Sequence, residues 1–300
     1  MRIFLTGATG FIGTALVRAL LERGDRCTVV SRAGRNPWHS DGVRIITADP
    51  AQTGDWQRAV AEADAVVNFA GDLLVDPFHP WTEARKARLI GGRVDTARRL
   101  AEAIRAAEPR PHISVSGSAI GYYGARGTEI LDEGASPGDD FLAGLCVAWE
   151  AAAREAADVT HVATLRTGLV VGKNAPLLAP MLPFFRLGLG GSWGDGRGWC
   201  SWIHLTDHVG LTLLAIDKAL DGPLNLTAPT PVTVDEFTGA LGRALHRPVL
   251  FRMPAAGLRL TLGEAADALL HLQRVVPAKG LAEGYRFRFP TLAEALAEIF

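Results

Sequence analysis

The chain has 300 residues, 48% of them hydrophobic, which is enough to bury a full core and suits one large domain or a large domain with a smaller lobe. Its 31 basic residues against 32 acidic ones point to no nucleic-acid face and no polybasic membrane patch. No apolar run approaches the length of a bilayer span.

The first residues set the fold and the cofactor. Residues 2–5 form a short apolar run of strand formers. From Phe11 onward, Ile12, Leu16, Ala19 and Leu20 fall at helical spacing on one face. Between them stand Gly7, Gly10 and Gly13, spaced Gly-x-x-Gly-x-x-Gly. The first allows a tight turn, the second lets main chain approach a diphosphate, and the third lets helix and strand pack closely. A strand before and an amphipathic helix after are the context that motif requires, so Thr9, Phe11 and Ile12 join the glycines as expected dinucleotide contacts.

A second strand at 26–30 leads to Ser31 and Arg32, with Arg35 nearby. Chains of this architecture that use NAD place an acidic residue at this point. A hydroxyl and a guanidinium suit a 2′-phosphate instead, so the expected cofactor is NADP(H). A third strand at 43–48 ends at Asp49, which is either an adenine-edge contact or a turn residue. A short helix at 55–63 and a fourth strand at 65–69 follow. Ala70 and Gly71 then offer bare main chain to a ribose or diphosphate. Residues 81–108 read as a long charged helix whose arginines are mostly solvated, and Pro109 and Pro111 end it.

The fifth strand, 112–116, carries Ser116 and runs into Gly117-Ser118-Ala119-Ile120-Gly121-Tyr122-Tyr123-Gly124. Strands alternating with helices predict a doubly wound parallel α/β sheet, a Rossmann arrangement, with ligands gathered at the carboxyl ends of the strands. Ser118 and Tyr122 then fall beside the nicotinamide. A helix at 139–157 and a sixth strand at 161–171 complete a domain expected to span residues 1–172, with contributions from 200–228. Residues 173–300 read mostly as a smaller α/β lobe. In that part a glycine-rich run at 187–198 suits a mobile cover or a hairpin, and strands are expected at 201–205 and 224–227 with a helix at 206–220 between them. An apolar helix is expected at 258–272 and a half-buried strand at 285–289. Thr233 to Glu236 and Thr291 to Glu294 fit capping boxes. Trp193, Trp199 and Trp202 suit either a flat substrate or a lobe interface.

Cys27, Cys146 and Cys200 are odd in number and lack metal-ligand spacing, which suits a reduced cytoplasmic protein without a metal. His204 and His208, four apart, suggest no third ligand, and Thr206-Asp207 reads as a helix cap. The apolar opening is broken by glycines too early for a signal peptide.

Several stretches stand out together: Thr6 to Gly13, Trp81 to Lys86, Ser118 to Gly124, Gly138 to Leu142, Leu165 to Gly168, Trp202 to His204, Gln273 to Val275 and Tyr285 to Arg288. With them the chain resembles the extended short-chain dehydrogenase/reductase family, the group of sugar-nucleotide epimerases and dehydratases. More closely it is similar to an atypical subfamily labelled as epimerase-family or nucleoside-diphosphate-sugar epimerase proteins. The resemblance implies a serine, an acid/base tyrosine and a lysine four residues beyond it. Ser118 matches the serine. Glu150 resembles the glutamate four residues past the family lysine, which puts Leu142 at the tyrosine position and Cys146 at the lysine position. Neither side chain can do that work.

Three readings follow. One is an NADP(H)-dependent oxidoreductase or epimerase-like enzyme using Ser118 and Tyr122, with His204 or Asp207 exchanging protons on a carbonyl or nucleotide-sugar. Another is a non-catalytic NADP(H) sensor, and the third a structural protein keeping a relic site. Arg166 would pair a substrate anion or make a salt bridge. A monomer or homodimer fits any of the three.

Overall fold

A computed structural model describes residues 1–76 and 79–300. Its strands in chain order are β1 (Arg2–Thr6), β2 (Arg26–Ser31), β3 (Val43–Thr47), β4 (Ala65–Asn68), β5 (Ile113–Ala119), β6 (Ile130–Leu131), β7 (His161–Thr167), β8 (Leu169–Val171), β9 (Gly191–Trp193), β10 (Trp199–Cys200), β11 (Trp202–His204), β12 (Gly222–Leu226), β13 (Val232–Thr233), β14 (Phe251–Met253) and β15 (Arg274–Val275). The helices are α1 (Phe11–Glu22), α2 (Glu83–Ala106), α3 (Phe141–Ala153), α4 (Leu182–Arg186), α5 (Leu205–Asp217), α6 (Val234–Ala244), α7 (Ala255–Leu262), α8 (Asp267–Leu270), α9 (Ala278–Ala282) and α10 (Leu292–Ile299).

Seven strands form one parallel sheet in the order β12-β7-β5-β4-β1-β2-β3. This is the doubly wound α/β arrangement. Strands buried on both faces need helices on both sides. On one face Leu16, Val17 and Leu20 of α1 and Leu211, Ala215 and Ile216 of α5 pack with Ile3, Leu5, Val29 and Val115. On the other, Leu100, Ala101 and Ile104 of α2 pack with Phe4, Val30 and Val66, while Trp149 and Ala152 of α3 meet Val94 and Ala97 of α2. The strand order reverses between β1 and β4, and a crevice opens at such a point. There the loop after β1 touches the loop after β4: a Cβ on Gly7 would lie 2.2 Å from the Phe69 carbonyl carbon.

The smaller part of the molecule departs from the sequence reading in instructive ways. The expected strand at 161–171 breaks at Gly168, where a Cβ would lie 2.3 Å from the Ser201 oxygen. The chain leaves the main sheet there, and β8 pairs instead with β11. The expected strand at 224–227 is β12, which closes the main sheet as its seventh strand. The glycine run at 187–198 is neither free cover nor hairpin, because β9 pairs with β14 and β10 with β13. The apolar stretch at 258–272 is not one helix: Gly263, with φ of 59°, ends α7, and a 3-10 turn precedes α8. Residues 55–62 form a 3-10 rather than an α-helix.

The expected strand at 285–289 shows alternating burial but no strand. The main-chain N–H groups of Arg288 and Phe289 donate to the Asp207 carboxylate, at 2.7 and 2.9 Å, rather than to a neighbouring strand. Both capping boxes are present, at Thr233 with Glu236 and at Thr291 with Glu294. A second core around Trp202, Phe237, Leu241, Phe289 and Leu296 joins these pieces. Trp202 is fully buried and Trp193 bridges this core to a cluster on α7 and α2, so both fill interior space. Among the described residues no helix is long and apolar enough to cross a membrane.

Candidate functional site

The crevice begins at the amino end of α1. Gly7 has φ of 69°, and a Cβ on Gly13 would lie 2.5 Å from the Ala8 Cα, so both positions exclude side chains for packing reasons. Gly10 differs, since a Cβ there would meet only the Gly7 oxygen, at 3.3 Å. No side chain caps α1 and no acidic residue occupies its first turn, whereas Thr82, Asp140, His204, Thr233 and Thr291 cap α2, α3, α5, α6 and α10. Free N–H groups at the positive end of a helix dipole, cleared of side chains at Gly10, make a cradle suited to a diphosphate. Thr9 and Gly10 are exposed at its lip, with Phe11 and Ile12 half-buried behind them.

Around the cradle, Asn68 Oδ1 accepts from Thr6 Oγ1 at 2.7 Å and from the Ala70 N–H at 3.1 Å, which fixes the turn into Gly71. Ser31 is buried, and its carbonyl accepts from the Gly34 N–H. Arg32 is 73% exposed, its nearest carboxylate being Asp72 at 3.8 Å. Asp49 is exposed and closes its own turn by accepting from the Ala51 N–H. It makes no hydrogen bond to the other expected cofactor residues among those described. Ser116 is buried, its hydroxyl turned to the Gly117 carbonyl.

At the end of β5 the chain becomes a 3-10 turn, Ile120–Tyr123. Ser118 Oγ donates to Glu150 Oε1 at 2.7 Å, and Arg166 grips both oxygens of that carboxylate at 2.9 Å. Arg166 also donates to the Tyr123 hydroxyl at 3.1 Å, which itself donates to Asn225 Oδ1 at 2.7 Å. Burial works against the Arg166 charge, but the hydrogen bonds and charge of Glu150 together with the Tyr123 contacts outweigh it and hold the guanidinium protonated. The salt-bridge reading of Arg166 is therefore the one realised here. Its guanidinium carbon lies 3.4 Å from the centre of the half-buried Tyr122 ring. The Tyr122 hydroxyl bonds to no described residue. Arg126 does not join Tyr122 but donates to Tyr123 and Ser136 oxygens.

Two expected proton carriers are corrected. Asp207 is buried and spends its carboxylate on the Tyr285 hydroxyl and on the Arg288 and Phe289 N–H groups, so it ties the C-terminal segment to α5. His204 caps α5 in place of the expected Thr206-Asp207 pair: its Nδ1 accepts from the Thr206 N–H, leaving Nε2 to donate to Glu298. Burial lowers its pKa.

His208 instead faces the underside of the crevice, with Nε2 3.1 Å from Thr167 Oγ1 and its ring 5.8 Å from that of Phe69. Burial pushes its pKa down to about 3, so it is neutral in the fold. As pH falls below about 6.5 only the unfolded chain takes up that proton, and stability is lost at up to about 1.4 kcal/mol per pH unit until the folded ring titrates. His208→Gln should therefore lose less stability than the native chain between neutral and mildly acidic pH in urea denaturation. Parallel losses in the two chains would rule this out.

The model of the NAD dependent epimerase/dehydratase family matches residues 3–226, and that of a domain of unknown function, DUF1731, matches residues 253–299. The chain belongs to the NAD dependent epimerase/dehydratase family. Within it, the epimerase family protein SDR39U1 of Bos taurus is 39% identical, covering 100% of this chain and 99% of that protein. The crystal structure of human epimerase family protein SDR39U1 with NADPH is 36% identical, with a TM-score of 0.89 and coverage of 100% and 99% of the two chains. A UDP-galactose 4-epimerase structure, at 19% identity, TM-score 0.77 and coverage of 100% and 97%, shares the fold.

Against that epimerase-family background two further features stand out. Leu142 packs at Gly121 and against the apolar cluster that holds Trp81, Leu258 and Leu262. The Cys146 thiol lies 3.6 Å from the Ala119 carbonyl, and burial, with the Glu150 charge next, pushes its pKa up to about 12. The other feature was invisible in the sequence. Arg85 and Arg93, two of the arginines of the charged helix, are buried and donate to the main chain of Leu73 and Asp72 respectively.

Proposed function

We propose that this epimerase-family chain binds NADP(H) across the carboxyl ends of its central strands and works on a small carbonyl compound or nucleotide-sugar. The observation that carries the reading is the side-chain-free, uncapped amino end of α1. The likeness to the SDR39U1 structure with NADPH supports it. In this reading Gly7, Thr9, Gly10, Phe11, Ile12 and Gly13 cradle the diphosphate. Ser31 and Arg32 take the 2′-phosphate, Asp49 borders the adenine, and Ala70, Gly71 and Ser116 line the route to the nicotinamide. Residues 1–172 with 200–228 make the nucleotide domain, and the rest the lobe that faces the substrate.

When bound, the reduced nicotinamide supplies a hydride to an electrophilic carbon. The chain must then orient the substrate oxygen and deliver a proton to it. Ser118 commits its own proton to Glu150, so toward a ligand its oxygen acts as an acceptor that orients a hydroxyl. Tyr122, with its hydroxyl unclaimed among the described residues, is the group left to donate. Leu142 and Cys146 contribute neither proton nor charge. That last feature favours a second reading, a non-catalytic NADP(H) sensor. Purified protein with NADPH and a panel of carbonyl compounds and nucleotide-sugars, followed by reduced-cofactor absorbance, separates the two: turnover supports the enzyme, and tight binding without turnover on any of them supports the sensor.

Arg32→Ala tests the cofactor choice. A charge-assisted contact to phosphate is worth about 1.5–3 kcal/mol, so NADPH affinity should fall roughly tenfold to a hundredfold while NADH affinity stays within about twofold. Equal losses by calorimetry would remove the 2′-phosphate from this position.

A further inference from the structure

A buried guanidinium ordinarily lies against a carboxylate, and Arg93 does not. It is 6% exposed, its Nη1 donates to the Leu89 carbonyl at 3.2 Å and its Nη2 to the Asp72 carbonyl at 2.6 Å. Its Nε has no partner, and no ion pair reaches it among the described residues. The neighbouring carboxylate, Asp72, is engaged by Arg85 at 3.2 Å, with Arg32 also within 3.8 Å. Main-chain carbonyls fix the orientation of the Arg93 fork without cancelling its charge.

The surroundings say where that charge is aimed. The guanidinium fills the space a side chain at Gly71 would need, with Cζ, Nε and Nη2 at 3.0 to 3.1 Å from a Cβ there. It lies 5.4 Å from the centre of the Trp149 ring, and Trp149 in turn lies under Gly117 at the end of β5. Arg93 thus stands between the turn after β4 and the face of α3 that carries Cys146, the residue at the expected lysine position.

We propose that Arg93 is the positioning cation of the nicotinamide half of the site, supplying from α2 the positive charge that α3 lacks at position 146. Its ligand is the oxygen-rich ribose phosphate of that half. A preformed, partly unsatisfied guanidinium suits such a ligand because little reorganisation is needed when the oxygens arrive. A residue serving only to staple the Asp72 loop would not need the uncancelled charge. The proposal rests on the NADP(H) reading above, and its test keeps the two apart.

Calorimetry would compare NADPH with 2′,5′-ADP, which carries the 2′-phosphate but no nicotinamide half, on the native chain and on Arg93→Gln, Arg93→Lys and Arg93→Gln/Cys146→Lys. Arg93→Gln should weaken NADPH about tenfold or more and leave 2′,5′-ADP within about twofold. Arg93→Lys, which keeps the charge but not the fork, should retain part of the lost affinity, and Cys146→Lys should restore part of it in the Arg93→Gln background. If 2′,5′-ADP weakens as much as NADPH, or if Arg93→Lys binds no better than Arg93→Gln and Cys146→Lys restores nothing, Arg93 is a loop staple and the proposal is overturned. Should Arg93→Gln not fold, the Arg93→Lys comparison of the two ligands decides: a loss confined to NADPH supports the assignment and an equal loss sinks it. A native chain that binds neither ligand ends the cofactor reading itself.

Discussion

Gly10→Val is expected to lower NADPH affinity by about a hundredfold or more, through loss of several charge-assisted main-chain contacts, while melting within a few degrees of the native chain. The separation of the two effects comes from the local geometry. Gly10 is the N-cap of α1 with φ of -75° and ψ of 176°, a conformation open to any residue, and a Cβ there approaches only the Gly7 oxygen, at 3.3 Å. Valine therefore costs the fold little more than a poor cap, about 1 kcal/mol or less. Its two methyl groups project into the space from which a diphosphate must approach the free N–H groups. Gly7 and Gly13 give the contrast. Substitution at either drives a Cβ to within 2.2 Å or 2.5 Å of main-chain atoms, so affinity and stability should fall together. Calorimetry and a thermal melt on the three variants check this. Unchanged NADPH affinity in Gly10→Val would show that the dinucleotide lies elsewhere.

The features legible in the sequence are those set by neighbours along the chain. The glycine triplet, the alternation of strands with helices and the two capping boxes are local, and the central strands and most helices were readable from them. What escaped depends on distant partners. β15 exists because Arg274 and Val275 lie beside Ile130 and Leu131, and residues 288–289 are held by a carboxylate some 80 residues away, Asp207. At 285–289 the alternation of burial was readable and the hydrogen-bond partner was not, and at 274–275 neither was. At the site, the end of the fifth strand and the family serine singled out Ser118, and anchoring on Glu150 singled out Leu142 and Cys146. It did not reveal that Glu150 itself joins Ser118 to Arg166. The buried arginines were hidden for a different reason. Arg85 and Arg93 look no different in sequence from the solvated Arg88 and Arg98 of the same helix. Only the carbonyls of the turn at Asp72 and Leu73 select them.

The largest stability effect is expected at Glu150, and the argument turns on what its removal leaves behind. Glu150→Ala strands Arg166, 3% exposed, with a charge that has lost its bidentate partner, and leaves the Ser118 hydroxyl without its acceptor. Breaking one side of a buried pair costs about 3–5 kcal/mol, because the remaining charge stays desolvated. Removing both sides should cost less than the sum: Glu150→Ala with Arg166→Met deletes the stranded charge, and a double-mutant cycle should show coupling of at least about 2 kcal/mol. The effect should also reach the site. Arg166 lies under Tyr122 and supports the Tyr123 hydroxyl, so losing its anchor frees the turn that presents the proposed proton donor. Denaturant titration of the two single variants and the double measures the coupling, and tyrosine fluorescence of the folded chains follows the turn. Additive losses would mean that Arg166 holds the 120–123 turn without Glu150, through the Glu133 carbonyl and Tyr123 contacts it already makes.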